Sequence, residues 1–368
     1  MENLIKTVVK VIHEYFLPSV PLKQIHLFNF GLRTISLPNF ESLNSNARIW
    51  GGVDNRSTAE SKIYRLLKNK GVPNIFPHIL ASFAWITPES KVIIDFSTFS
   101  AGWFYPEFQV LTFGLQTLLG RAIPLYFDII RYPVKSEGSQ NIFIMETIKK
   151  FKDILGFYPQ FVLDRGFAIP SLIKFFIEEG IIYYVRSKSG KTVTIVSMRE
   201  FKDMKELDRL IPAGKIKEKD VMVKVYDKPM RLVISDMNGK DKEPWYILTN
   251  DFTTPRKKVI ETYYHRFEIE ETFKDLKHLK NLEKIKIKKE TSFRIVLWFM
   301  ILGCWLVYLT QLAYEKSKET LQSISLDMYR SVKVNIHKTL SFFRTFFEAI
   351  QRAFYFVHAF LTRKTKFR

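Results

Sequence analysis

The sequence predicts an α/β protein: a mixed β-sheet carrying a β-rich insertion, with a small helical domain ahead of it. Three observations carry that expectation. Between Lys91 and Ser187, short apolar runs, two of them ending at an aspartate, alternate with stretches of helical periodicity. From about 190 to 255 the pattern changes to four short β-like runs separated by polar turns. Ahead of about residue 88 the apolar residues recur at helical spacing instead.

The elements follow in order. MENLIKTVVKVIHEYF reads as an amphipathic helix, because it carries acids and lacks the long apolar stretch of a signal peptide. Ser57-Thr58-Ala59-Glu60 has the form of a capping box. It opens a helix with apolar Ala59, Ile63, Leu66 and Leu67 and basic Lys62, Arg65, Lys68 and Lys70. Such a basic face suits DNA and a merely solvated surface equally well. Pro73, Pro77 and Pro88 mark the boundary with the next region. KVIIDFSTFS, FQVLTFGLQTLL and RAIPLYFDIIRYP are strand candidates, and Gln140 to Leu155 is helical. YPQFVLDRGF is a further strand, IPSLIKFFIEEG a helix stopped at Gly180, and IIYYVRSKS a strand. KTVTIVS, DVMVKVYD, MRLVISDM and PWYILTND form the insertion. The expected division is 1–88 helical, 89–320 the sheet domain with its insertion at about 190–255, and 321–368 a helical, aromatic-rich end suited to dimerisation or DNA contact.

Composition narrows the partners. Lys and Arg number 57 against 37 acids, a formal charge of +20 on 368 residues, which favours a polyanion. Hydrophobic content of 46% is ample for a core. Cys304 is the single cysteine, so a disulfide framework and a cysteine zinc site are excluded, and a reducing cytoplasm is expected. Ile295 to Tyr314 runs twenty residues without a charge, long enough to span a membrane. Gly303, Thr310 and Gln311 interrupt it, and a fully buried helix is the expected reading.

The segment ETYYHRFEIEETFKDLK holds the densest chemistry. On one helix at about 100° per residue, Tyr263, Arg266, Glu270 and Lys277 fall within about 60° of each other. Ile269, Phe273 and Leu276 form the adjoining apolar seam, while Glu268, Glu271 and Asp275 point elsewhere. One carboxylate thus stands beside two cations and a phenol. Asp95 and Asp164 each end an apolar strand run, where α/β sheets place their sites. With Glu270 they make three acids from separate elements, a donor set for Mg²⁺ or Mn²⁺. Asp128, on another strand candidate, competes with Asp95, which follows the cleaner apolar run and precedes Ser97 and Thr98. A histidine mechanism has no support, since His265 faces away from Glu270 and the other six have no evident partner.

These motifs resemble the DDE transposases of bacterial and archaeal insertion sequences, in the group with the Y-R-E-K signature. Tyr263, Arg266, Glu270 and Lys277 stand at that group's spacing, within Phe267-Glu268-Ile269-Glu270 and onward to Phe273. VIIDFSTF is similar to the first-aspartate block and FVLDRGFAIPSLIKFFIEEGIIYYVRSK to the second. PWYILTND is similar to the strand that closes the insertion, so the resemblance runs from about Lys91 to Leu309. Phe96 stands where a smaller residue is expected.

The resemblance implies a ribonuclease-H-like mixed sheet with the insertion between the second Asp and the Glu. It implies that Asp95, Asp164 and Glu270 bind two Mg²⁺ or Mn²⁺ ions, and that Tyr263, Arg266 and Lys277 contact phosphates. Lys280 and Lys284, with Lys286, Lys288 and Lys289, would extend that track. The implied activity is cleavage of double-stranded DNA at element ends and transfer of the 3′-hydroxyl to target DNA, by a homodimer in the cytoplasm at the nucleoid, without membrane. Family members stack a flipped base on an insertion tryptophan. Trp245, the insertion's one tryptophan, lies in its closing strand and is assigned no such role. The rival readings are another ribonuclease-H-like nuclease acting in resolution or repair, and a domesticated DNA-binding protein without activity.

Overall fold

The computed structural model describes residues 22–36, 43–49, 55–81, 86–99, 107–118, 120–131, 139–188, 192–195, 202–203, 216–223, 228–235, 244–278, 282 and 287–321. The expected helices at 1–16 and 322–368, and Lys280, Lys284 and Lys286, lie outside these residues.

In chain order the first helices are α1 (Leu22–Gly31), α2 (Leu43–Ile49), α3 (Arg56–Lys68) and α4 (Ile75–Ala81). Strands β1 (Lys91–Phe99), β2 (Phe108–Leu115) and β3 (Ile123–Arg131) precede helix α5 (Ser139–Leu155). Then come β4 (Gln160–Leu163), helix α6 (Pro170–Glu178) and β5 (Tyr183–Ser187). The insertion contributes β6 (Thr192–Ile195), β7 (Lys202–Asp203), β8 (Ile216–Val223), β9 (Lys228–Ser235) and β10 (Trp245–Thr249). Helices α7 (Arg256–Tyr264), α8 (Glu268–His278) and α9 (Glu290–Leu321) follow. The chain divides into two compact units, one of residues 1–82, 99–106 and 273–368, the other of 83–98 and 107–272.

The second unit carries the sheet. Its strands run β3-β2-β1-β4-β5-β10-β9-β8-β6-β7. The first five positions, 3-2-1-4-5, have β2 and β3 antiparallel and β1, β4 and β5 parallel. That is the ribonuclease-H-like arrangement. The insertion extends this same sheet, because β10 pairs antiparallel with β5 and then with β9. Aromatic side chains seat two helices on one face: Phe151 of α5 against Phe113 and Tyr126, and Phe176 of α6 against Phe161 and Tyr183. Gly180 ends the α6 turn at a φ of +68°, the left-handed conformation that glycine takes without strain. Gly114 permits a close approach, since a Cβ there would lie 3.1 Å from Ile269 of α8.

The other unit has its own aromatic core. Phe76 of α4 stacks on Trp298 at 5.0 Å and meets Phe299 edge-on at 5.1 Å, while Phe28 of α1 packs on Phe76 and Phe299. The charge-free run from Ile295 lies within α9: every residue from Ile295 to Trp305 is buried, and Tyr308 is half-buried. Among the described residues no helix is long and apolar enough to cross a membrane. The capping box is corrected. Asn55 caps α3, its Oδ1 accepting from the Thr58 N–H at 2.8 Å, and Glu60 pairs with Arg56 rather than reaching back to the cap.

Candidate active site

Strand register brings the two aspartates together. β1 and β4 are parallel neighbours, with Ile94 opposite Leu163 as the last pair, so Asp95 and Asp164 are the next residues on each strand. Asp164 follows the end of β4 as expected. Asp95 does not end its strand, because β1 runs on past it to Phe99. The rings that follow them also meet: Phe96 stacks on Phe167, 5.8 Å between centroids and 7° from parallel. This is where Phe96 finds its use in the fold.

Asp128 lies elsewhere. It sits on β3, opposite Leu111 of β2, and accepts from Lys150 of α5 at 3.1 Å and from the Ile129 N–H. β2 separates β3 from β1.

The signature segment is not one continuous helix. α7 stops at Tyr264, a 3₁₀ turn spans His265–Phe267, and α8 begins at Glu268. Three residues of 3₁₀ turn advance about 60° further than an α-helix would, which shifts Arg266 relative to a regular wheel. Arg266 is 6% exposed. Its Nη2 donates to Glu270 Oε1 at 2.8 Å, and its Nη1 lies 3.8 Å from Asp95 Oδ2. Among the described residues Nε has no hydrogen-bond partner. The guanidinium carbon lies 4.5 Å from the Phe267 ring centroid. Tyr263 is buried, and its hydroxyl donates to Asp164 Oδ1 at 3.4 Å.

The second unit thus brings five of the expected residues together: Asp95, Asp164, Tyr263, Arg266 and Glu270. Lys277 lies further along α8, its Nζ 5.1 Å from the centre of the Phe99 ring. The three carboxylates do not share one ligand shell: among the described residues no three acidic, histidine or cysteine side chains are grouped closely enough to hold a metal ion. Asp95 and Glu270 each meet the guanidinium instead.

Electrostatics report a site short of positive charge. Burial pushes the Asp95 carboxyl up to about 6; Arg266 and the Phe96 N–H oppose the rise, and Asp164 and Glu270 add to it. Burial also pushes the Tyr263 phenol well above its ordinary value, so it is a neutral donor at pH 7. Arg266 is raised despite burial, by Tyr263, Asp164, Asp95 and Glu270. Each of these acids offers only oxygen, the donor type a hard divalent cation takes, but in this arrangement Asp95 and Glu270 serve Arg266 instead.

Residues outside the stripe hold it in place. Glu268, expected to point away, is 4% exposed and accepts from the Thr117 N–H at 2.9 Å and the Gly120 N–H at 3.3 Å. His265 Nδ1 lies 3.0 Å from the same carboxylate, so its partner is Glu268. Thr272 Oγ1 donates to Ala122 O at 2.7 Å, and Ala122 N–H to Glu268 O. The first turn of α8 is therefore stitched to the β2–β3 connection, which orients Glu270. Trp245 is 5% exposed, edge-on to Tyr263 at 5.2 Å, and so supports the phenol. Nothing in the spacing marked Glu268 or Thr272, because their partners are largely main-chain groups on a distant loop.

Residues 145–306 match the family described as Transposase DDE domain. That match supports a DDE transposase. The matched stretch includes Asp164, Tyr263, Arg266, Glu270 and Lys277, and begins after Asp95. Among solved structures the chain is similar to the piggyBac transposase in its synaptic complex with hairpin DNA, determined by cryo-electron microscopy. Identity is 12% and the TM-score 0.40, over 92% of this chain and 83% of that one. No curated protein matches.

Proposed function

We propose that this chain is a DNA transposase of the insertion-sequence type, which cleaves element ends and joins the exposed 3′-hydroxyl to target DNA. The observation that carries the reading is the β1–β4 register that sets Asp95 beside Asp164, with Arg266 linking Asp95 to Glu270. Asp95, Asp164 and Glu270 would hold two divalent ions, Mg²⁺ or Mn²⁺. When bound, such ions activate a water or 3′-hydroxyl and stabilise the leaving oxygen of an in-line phosphodiester displacement.

The remaining groups position the strand. Tyr263, neutral at pH 7 and held by Trp245, would turn its hydroxyl from Asp164 to a phosphate oxygen. Arg266 would offer its planar fork to the same backbone by giving up Asp95 or Glu270, and Lys277, Lys280 and Lys284 would add point charges along it. The net charge of +20 suits double-stranded DNA as partner. A homodimer would hold two ends in one synapse. Residues 1–88 and 321–368 would contribute end recognition and assembly. A cytoplasmic, nucleoid-associated enzyme fits these roles.

The test is a plasmid carrying the DNA that flanks the coding sequence, incubated with the protein and Mg²⁺. Expected are double-strand breaks at paired inverted repeats and strand-transfer products, both lost on changing Asp95, Asp164 or Glu270 to the amide. Cleavage of branched DNA without strand transfer would replace this reading with a resolution or repair nuclease. DNA binding with no cleavage under any metal would leave a domesticated binder.

A further inference from the structure

The helical unit holds a second phenol flanked by cations. Helix α3 buries Ala59, Ile63 and Leu66 and exposes Tyr64, Arg65 and Lys68. Tyr64 is 58% exposed, a large ring that the core does not use. Lys68 folds back onto it: Nζ lies 3.9 Å from the ring centroid and donates to the phenol oxygen. This hydrogen bond and the charge of Lys68 hold the phenol below its ordinary value, and Lys289 adds to the effect. Lys289 reaches this place because the first turn of α9 lies against the last turn of α3, where Ser292 Oγ donates to Leu67 O at 3.1 Å.

The same turn leads to the signature lysine. Phe293 packs on Phe99 at 5.9 Å, and Lys277 lies over that Phe99 ring. The nearby acids are engaged by other cations: Glu290 by Arg294 at 3.3 Å, and Glu60 by Arg56 at the opposite end of α3. Among the described residues no large exposed hydrophobic lies on this strip except Tyr64, so it lacks the apolar teeth of a membrane-binding face.

We propose that Tyr64, Lys68 and Lys289 form a second phosphate-contact surface for duplex DNA, continuing along the helical unit from Lys277. The proposal rests on the transposase reading. Two ammonium groups and one hydroxyl donor on a rigid helix pair suit backbone contacts, which set register and carry no base sequence.

The test is fluorescence anisotropy of labelled duplex DNA with the full chain across a salt series. The double variant Lys68→Ala/Lys289→Ala should weaken binding to all sequences alike and reduce the log–log salt slope by about 2. Tyr64→Phe should weaken binding without changing the slope, and Lys68→Arg/Lys289→Arg should restore it. Unchanged urea midpoints for these exposed substitutions separate the effect from misfolding. An unaltered slope in the alanine variant, with wild type binding normally, overturns the surface alone. A reduced slope with no Mg²⁺-dependent cleavage by wild type keeps the surface and overturns the transposase reading. Loss of binding to anionic vesicles instead of DNA in the same variant makes the strip a membrane face and overturns the proposal.

Discussion

Arg266 answers two acids with one planar group, and that geometry is what a lysine lacks. One Nη bonds Glu270 and the other faces Asp95, so the fork spans side chains from β1 and α8. Lysine keeps the charge as a single point and serves one partner at a time. Arg266→Lys should therefore lower stability by about 1–2 kcal/mol, less than a fully buried pair because Glu270 is partly exposed. Urea denaturation at pH 7 reads this directly. A midpoint equal to wild type would mean the fork contributes nothing and the site is held by α8 alone. Asp95 shows the counterpart: a carboxyl raised by burial and by two other acids is a poor choice for stability, as expected where residues are placed for chemistry.

At the scale of elements, the end of β10 is fastened by one acid on the edge of the sheet opposite to Asp95 and Asp164. Asp251 Oδ1 accepts from the Thr253 and Thr254 N–H groups and the Thr253 hydroxyl, and Oδ2 from the Tyr184 hydroxyl on β5. Burial alone would raise this carboxyl, but the hydrogen bonds from Thr254, Tyr184 and Thr253 outweigh it and hold it well below the carboxylate range. A depressed folded value means stability that is complete above the unfolded value, near 4, and lost as pH falls through the folded one. Asp251→Asn should cost about 2 kcal/mol at pH 7, with the gap to wild type closing as pH falls below about 4. Parallel urea midpoints at both pH values would remove the carboxylate from that account. These elements also mark what the sequence could disclose. Strand runs and the Gly180 stop were legible, because period and turn chemistry are local. The β1–β4 register was not, since it pairs segments far apart in the chain. Glu268 was misread for a related reason: a wheel places a side chain around its own helix and knows nothing of Thr117 and Gly120.

For the whole molecule, the transposase proposal has binding and chemistry rest on different groups, and this separation is measurable. A charge of +20 would act on any duplex through released counterions, and none of its lysines or arginines needs a metal. The acids at the carboxylate site are few, and Arg266 already neutralises part of their charge. Removing divalent ions with EDTA should therefore leave duplex affinity at fixed ionic strength within about twofold, while raising monovalent salt should lower it steeply. Cleavage should behave in the opposite way: absent in EDTA and restored by Mg²⁺ or Mn²⁺ at the same salt. Coupled measurements of anisotropy and strand breakage on one substrate decide the point. If EDTA abolished binding and cleavage together, the metal would be organising the DNA interface itself. The carboxylates, rather than the basic surface, would then be the principal source of affinity.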